Sequence, residues 1–224
     1  MNETTIPDTH TEKVHHYPKG LRIPAAIISY VLHPVFMPLF LTLLIYKLSP
    51  ISFAGIQPHD FSKWIAIITL NTLFFPLVSV LLLKGLHFIK SIQMDDPKDR
   101  IIPLMATMIF YFWADNVISN IPNVPLVLHV LLLGSFWGII AIFMVNIFFK
   151  VSMHTCAAGS MIGILIVLMI VSPTNLVIAF FIALIVAGIM GTVRLILGAH
   201  RYGEIWLGYI IGIVVMLGAY IYLK

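Results

Sequence analysis

The chain has 224 residues, 60% of them hydrophobic and only 10% charged, with a mean hydropathy of +1.04 and a formal net charge of +4. Such a composition fixes the class as membrane-embedded. It excludes an internal disulfide, because Cys156 is the single cysteine, and a nucleic-acid partner, because the pI of 9.2 comes without a basic patch interleaved with aromatics.

Residues 1–20 are polar, contain His10, His15 and His16, and read as a tail that is disordered or lies on the surface. The first apolar run begins late and is too long for a signal-peptide core, so a retained anchor is expected. Residues 21–224 form a single transmembrane domain. Apolar stretches at about 21–48, 64–89, 101–119, 125–149, 154–172, 175–196 and 204–223 can each cross a hydrocarbon core of ~30 Å as a helix. Backbone polar groups in lipid pair within a helix, and the continuous hydrophobicity argues against the alternating strands of a β-barrel. The expected fold is an all-α polytopic transmembrane helix bundle of six to seven spans, with kinks possible at Pro34, Pro38 and Pro76.

The scarce polar residues gather in three loops. The loop between spans two and three runs Lys90-Ser-Ile-Gln-Met-Asp95-Asp96-Pro-Lys98-Asp99-Arg100-Ile-Ile-Pro103. Lys150-Val-Ser152-Met-His154 joins spans four and five, and Arg194-Leu-Ile-Leu-Gly-Ala-His200-Arg-Tyr-Gly-Glu204 joins six and seven. Two crossings separate each loop from the next, so all three face one side. Distant residues can then form one site.

Arginine offers a planar fork of donors for phosphate oxygens, and imidazole serves as nucleophile or acid near neutral pH. Glu204 follows His200 by four residues, which puts both on one face of the opening turn of span seven. The carboxylate can hold one ring nitrogen and aim the other. His154 begins span five, where free amides and the helix dipole favour an anion.

The stretch from Arg194 to Glu204 resembles the third motif of the type 2 phosphatidic acid phosphatase superfamily, S-R-x-x-x-x-x-H-x-x-x-D, with the same spacings from arginine to histidine and from histidine to acid. Ser152-Met-His154 resembles a degraded second motif, P-S-G-H, and Lys98-Asp-Arg100-Ile-Ile-Pro103 a degraded first, K-x-x-x-x-x-x-R-P. The likeness covers about residues 90–212. Departures are Val193 for the serine, Glu204 for the aspartate, Val151 and Met153 around Ser152, and Gln93 where the lysine would stand, so that Lys98, Lys90 or Lys150 would substitute. The hydrophobic hairpin 101–149 is also atypical of a family that usually has six spans.

The resemblance implies a metal-independent hydrolase of lipid phosphates or diphosphates, needing no cofactor. His200 would be the nucleophile, Glu204 its orienting group, and His154 the acid and then the base. Arg194, Arg100 and Lys98 would bind phosphate with help from Ser152. The implied partners are a lipid phosphate substrate and the surrounding membrane lipids.

Other readings stay open. Arg194 could snorkel to headgroups, His200 and Glu204 could be an ordinary surface pair, and Lys98 and Arg100 could be flanking charges. His33 and His129, inside apolar spans, read as neutral histidines bonded to neighbouring helices. Asp95-Asp96-x-x-Asp99 also looks like the Mg²⁺-binding motif of prenyltransferases, although a second acidic cluster is lacking. A catalytically inactive relative serving as scaffold or transporter is the non-enzyme alternative. Ten of the 13 Lys and Arg fall on the motif-bearing side, which the positive-inside rule assigns to the cytosol, whereas the resemblance implies an outward-facing site. The expected setting is a bacterial inner membrane.

Overall fold

The structure, a computed structural model, describes residues 17–92 and 97–224. His10, His15, His16, Gln93, Asp95 and Asp96 lie outside the described residues. The remainder is helical, and seven segments are long and apolar enough to cross a membrane: Lys19–Leu48, Pro58–Gly85, Lys98–Ser119, Leu126–Phe148, Met153–Val171, Val177–Ile196 and Tyr202–Leu223. The chain is an integral, multi-pass helical membrane protein. Span two starts six residues before its expected bound because Pro58, at the first helical position, opens it with a pre-set φ. It ends at Gly85, and His87 follows in the left-handed region at φ 63°.

The first two spans are interrupted, each at proline. Span one consists of α1 (Lys19–Val31), a 3₁₀ turn at Pro34–Phe36, and α2 (Met37–Leu48). His33 is extended, as a residue before proline tends to be, and breaks the helix there. Span two consists of α3 (Pro58–Thr69), a π-helical turn at Leu70–Phe74, and α4 (Phe75–Gly85). Pro76 has no N–H and would crowd the carbonyl four residues back, that of Thr72. The π turn relieves this, with the Phe75 N–H reaching Leu70 O, and the Thr72 carbonyl accepts the Tyr111 hydroxyl at 3.4 Å instead. Spans three to seven are α5 (Ile101–Ser119), α6 (Leu126–Phe148), α7 (Met153–Val171), α8 (Val177–Ile196) and α9 (Tyr202–Leu223).

The interruption in span one sets its depth. At the far end Ser49 Oγ lies 2.7 Å from Ser172 Oγ, so α2 and α7 finish level. The 3₁₀ turn and α2 together rise about 24 Å, against about 28 Å for α7. His33 therefore stands level with the start of α7, and α1 extends beyond it, packed chiefly on α8 at the polar end. The 21–48 stretch is thus two helices with different neighbours rather than one continuous rod.

Helix α7 is the centre of the bundle, with 13 of its 19 residues buried. It meets α9 along Gly159 and Gly163 on one side and Gly208 and Gly212 on the other. A Cβ on Gly212 would strike the Cys156 carbonyl and come within 2.5 Å of Ser160 N, and one on Gly163 would lie 2.8 Å from Met216 Cβ. Lipid tails are as apolar as side chains, so close backbone approach and dispersion, rather than escape from water, hold such a pair. On α8, Ile178, Phe181 and Ile185 point outward and are more than half exposed, as a lipid-facing surface requires. His129 has no helix-to-helix bond of the kind expected for it: its buried Nε2 has no hydrogen-bond partner among the described residues.

Candidate functional site

The three polar loops meet at one end of the bundle through named contacts. Arg100, at the residue before α5, donates from Nη1 to the Val151 carbonyl at 3.3 Å, tying the first loop to the second. The Ser152 N–H donates to the Glu204 carbonyl at 3.3 Å, tying the second to the third. Arg194, in the last turn of α8, donates from Nη1 to Ser29 Oγ at 2.9 Å, and His154 Nε2 lies 3.2 Å from both the hydroxyl and the carbonyl of Ser29. A carbonyl only accepts, so Nε2 of His154 bears the proton and Nδ1 the lone pair.

His200 is placed by the end of α8. Gly198 adopts a left-handed φ of 67°, with its N–H on Leu195 O and that of Ala199 on Arg194 O, and this terminates the helix and turns the chain back. The His200 Nδ1 then reaches Glu204 Oε2 at 2.6 Å. The pair does not share a helical face, as its spacing suggested. His200 precedes α9, Arg201 is extended, and the contact bridges the helix start. Since a carboxylate only accepts, Nδ1–H is the donor and Nε2 keeps its lone pair.

The electrostatics suit an anion. His200 is 8% exposed, and burial together with the positive charges of Arg194, Arg100 and Lys150 pushes its pKa down to about 3. The ring is neutral at pH 7, as a nucleophilic nitrogen must be. Arg100 is buried as well, and positive charge in a low-dielectric setting favours a bound anion.

Other expected members hold different positions. Ser152 is fully buried, and its oxygen accepts the Thr155 N–H at 3.3 Å as the cap of α7. Its hydroxyl oxygen is thus engaged in starting the helix that presents His154. Lys98 is exposed, and it is the Lys150 charge that bears on His200. Asp99 belongs to the 3₁₀ turn at Pro97–Arg100, while Asp95 and Asp96, the other carboxylates of the prenyltransferase-like motif, are outside the described residues.

Two residues join the site without a motif to announce them. Ser29, from α1, bonds to both Arg194 and His154. The His33 ring meets the His154 ring edge to face at 5.2 Å, and its Nδ1 accepts the Val35 N–H at 3.3 Å. It therefore caps its own chain instead of bonding to a neighbouring helix. The signal for His33 was an ionisable residue ahead of a proline in an apolar run; Ser29 left none. Comparison with known proteins finds no matching family model, no matching curated protein and no matching solved structure.

Proposed function

We propose that the chain is a metal-independent phosphatase of membrane lipid phosphates or diphosphates, working through a phosphohistidine on His200 as the type 2 phosphatidic acid phosphatase superfamily it resembles would. The observation that supports this best is the His200–Glu204 contact of 2.6 Å with Arg194, Arg100 and Lys150 around it. The His200 Nε2 lone pair attacks phosphorus, and the bond from phosphorus to the lipid oxygen breaks. The proton for the departing oxygen comes from the monoanionic phosphate and is relayed through the Nδ1 lone pair of His154, because Nε2–H is turned to Ser29. Water then gives a proton to His154 at Nδ1 and attacks the phosphohistidine; the bond from His200 nitrogen to phosphorus breaks, His200 is restored, and the leaving phosphate takes the proton from His154. Arg194 and Arg100 stabilise the charge on the transferring group, with Lys150 better placed than Lys98 to assist. Positive charge on His200 after attack is balanced by Glu204, and the bound phosphate offsets the cations that otherwise keep the ring neutral. The positive-inside count favours a cytosolic site in a bacterial inner membrane.

The experiment is phosphate release from phosphatidate, phosphatidylglycerophosphate and undecaprenyl diphosphate by the purified protein in excess EDTA. Wild type is expected to turn over at least one of them, and His200→Ala to lose about a thousandfold or more. Turnover abolished by EDTA would move the reading to a Mg²⁺ enzyme using Asp95, Asp96 and Asp99. Absence of turnover on all three would leave an inactive relative. The broken span one favours a transporter as that second reading, since transport sites often form at interrupted helices.

A further inference from the structure

A cavity of about 400 Å³ opens within the membrane-spanning part, enclosed by spans one to five. Met37, Leu41, Val80, Leu104 and Ile142 give it apolar walls. Thr107 and Tyr111 also line it, but their hydroxyls are turned to carbonyls, that of Thr107 to Pro103 O at 2.7 Å and that of Tyr111 to Thr72 O at 3.4 Å. The polar end is different: Arg100 and His33 border the cavity there, and His33 is the residue in ring contact with His154. The two interruptions lie beside the space: His33 and Pro34 at the break in span one, and Pro76 just after the π turn at Leu70–Phe74, are among its lining residues.

We propose that this cavity receives one hydrocarbon chain of an anionic single-chain amphiphile, with its phosphate head at Arg100 and its tail running toward Tyr111. The charge pattern selects an amphiphile of that polarity, cationic at the mouth and hydrocarbon below. From Arg100 to Tyr111 the wall descends about 16 Å at ~1.5 Å per residue. The volume holds about a dozen methylene-sized groups at roughly 30 Å³ each, which is one chain and not a pair. It lies at the small end of the ~300–1,000 Å³ typical of ligand sites. The phosphate head rests on the phosphatase reading, whereas the chain site stands on the cavity alone. A substrate seated this way would be a monoalkyl or short prenyl phosphate of about a dozen carbons in preference to a two-chain phospholipid.

The test uses the full chain in phosphatidylcholine nanodiscs and a dodecyl phosphate bearing a photoreactive diazirine at its terminal carbon. After irradiation, peptide mapping is expected to find the label on the cavity floor near Leu41, Tyr111 and Ser135. Excess monododecyl phosphate should remove it, and excess dipalmitoyl phosphatidate should not. Thr107→Phe and, from the facing wall, Ser135→Phe should each cut floor labelling about tenfold; using both guards against one variant failing to fold. Label confined to lipid-facing residues such as Ile178 and Phe181, or equal competition by phosphatidate, would overturn the proposal. Floor labelling in a protein with no turnover would keep the chain site and remove the phosphatase reading; turnover without floor labelling would do the reverse.

Discussion

The two sides of the bundle are built to opposite specifications. The α7–α9 seam is closed by glycines whose missing Cβ atoms let backbones touch, and it presents His154, His200 and Glu204. The other side, where spans one and two are interrupted by proline, leaves a cavity that spans three to five help to enclose. On the proposed reading, reacting groups need fixed distances and sit where packing leaves no freedom, while a ligand needs a way in and enters where two helices are broken. Precision and access then belong to two faces of the bundle that share α7, whose Cys156 and Ser160 meet both the seam and the cavity.

The sharpest way to break this contrast is at Arg194. Arg194→Ala should reduce turnover by about 10²–10³-fold, the usual cost of removing a donor aimed at transition-state charge. Because its guanidinium also bonds Ser29, Arg194→Lys should recover only part of the loss: one ammonium replaces a planar fork. Equal activity of both variants with wild type would place the chemistry elsewhere.

Packing gives the next effect. Gly212→Leu must push α9 off the Cys156 carbonyl and should destabilise by about 1–3 kcal/mol in thermal unfolding, as overpacking does. Gly138→Ala, at the cavity, is its counterpart. The added carbon would meet only Val215 Cγ2 at 3.6 Å, so stability should hold or rise by about 0.5 kcal/mol. If the two substitutions cost the same, the seam is no tighter than the cavity side.

pH should expose the seam in a different way. The folded-state pKa of His200, about 3, lies below the unfolded value of 6.5. Between these values the unfolded chain binds a proton that the folded one refuses. Stability is therefore complete above about pH 6.5 and falls as pH drops toward 3, by roughly 1 kcal/mol per pH unit at its steepest. Thermal melts of wild type and His200→Gln across that window measure the term, and parallel curves would remove it.

Smaller effects are expected around the shared hydroxyl and the outer cations. Ser29→Ala keeps every motif residue but unties Arg194, and should lower turnover several-fold, with the change mainly in kcat. Lys150→Ala should raise KM about threefold, while Lys98→Ala should change it little. The reverse order would restore Lys98 to the role its motif position suggests.

Much of this architecture was readable from the residues. Continuous apolar runs separated by short polar loops define the spans, because lipid leaves the backbone no alternative to the helix. Parity alone put Arg100, His154 and Arg194 on one side; the His200–Glu204 contact was expected from a shared helical face, but it forms across the start of α9 instead. Individual partners were not readable. That Ser152 is engaged as a cap, that Lys150 rather than Lys98 bears on His200, and that His33 packs against His154 depend on contacts between residues far apart in the chain. Their energies are set by three-dimensional neighbours that no local pattern encodes.

By itself, then, the order of residues determined the number of crossings and the side on which the scarce charges collect, since hydrocarbon penalises every unpaired polar group wherever it occurs. Only the tertiary structure decided which hydroxyl joins Arg194 to His154 and where the bundle stays open. Those outcomes follow from how broken and unbroken helices fit around α7, and fit is a property of surfaces in contact.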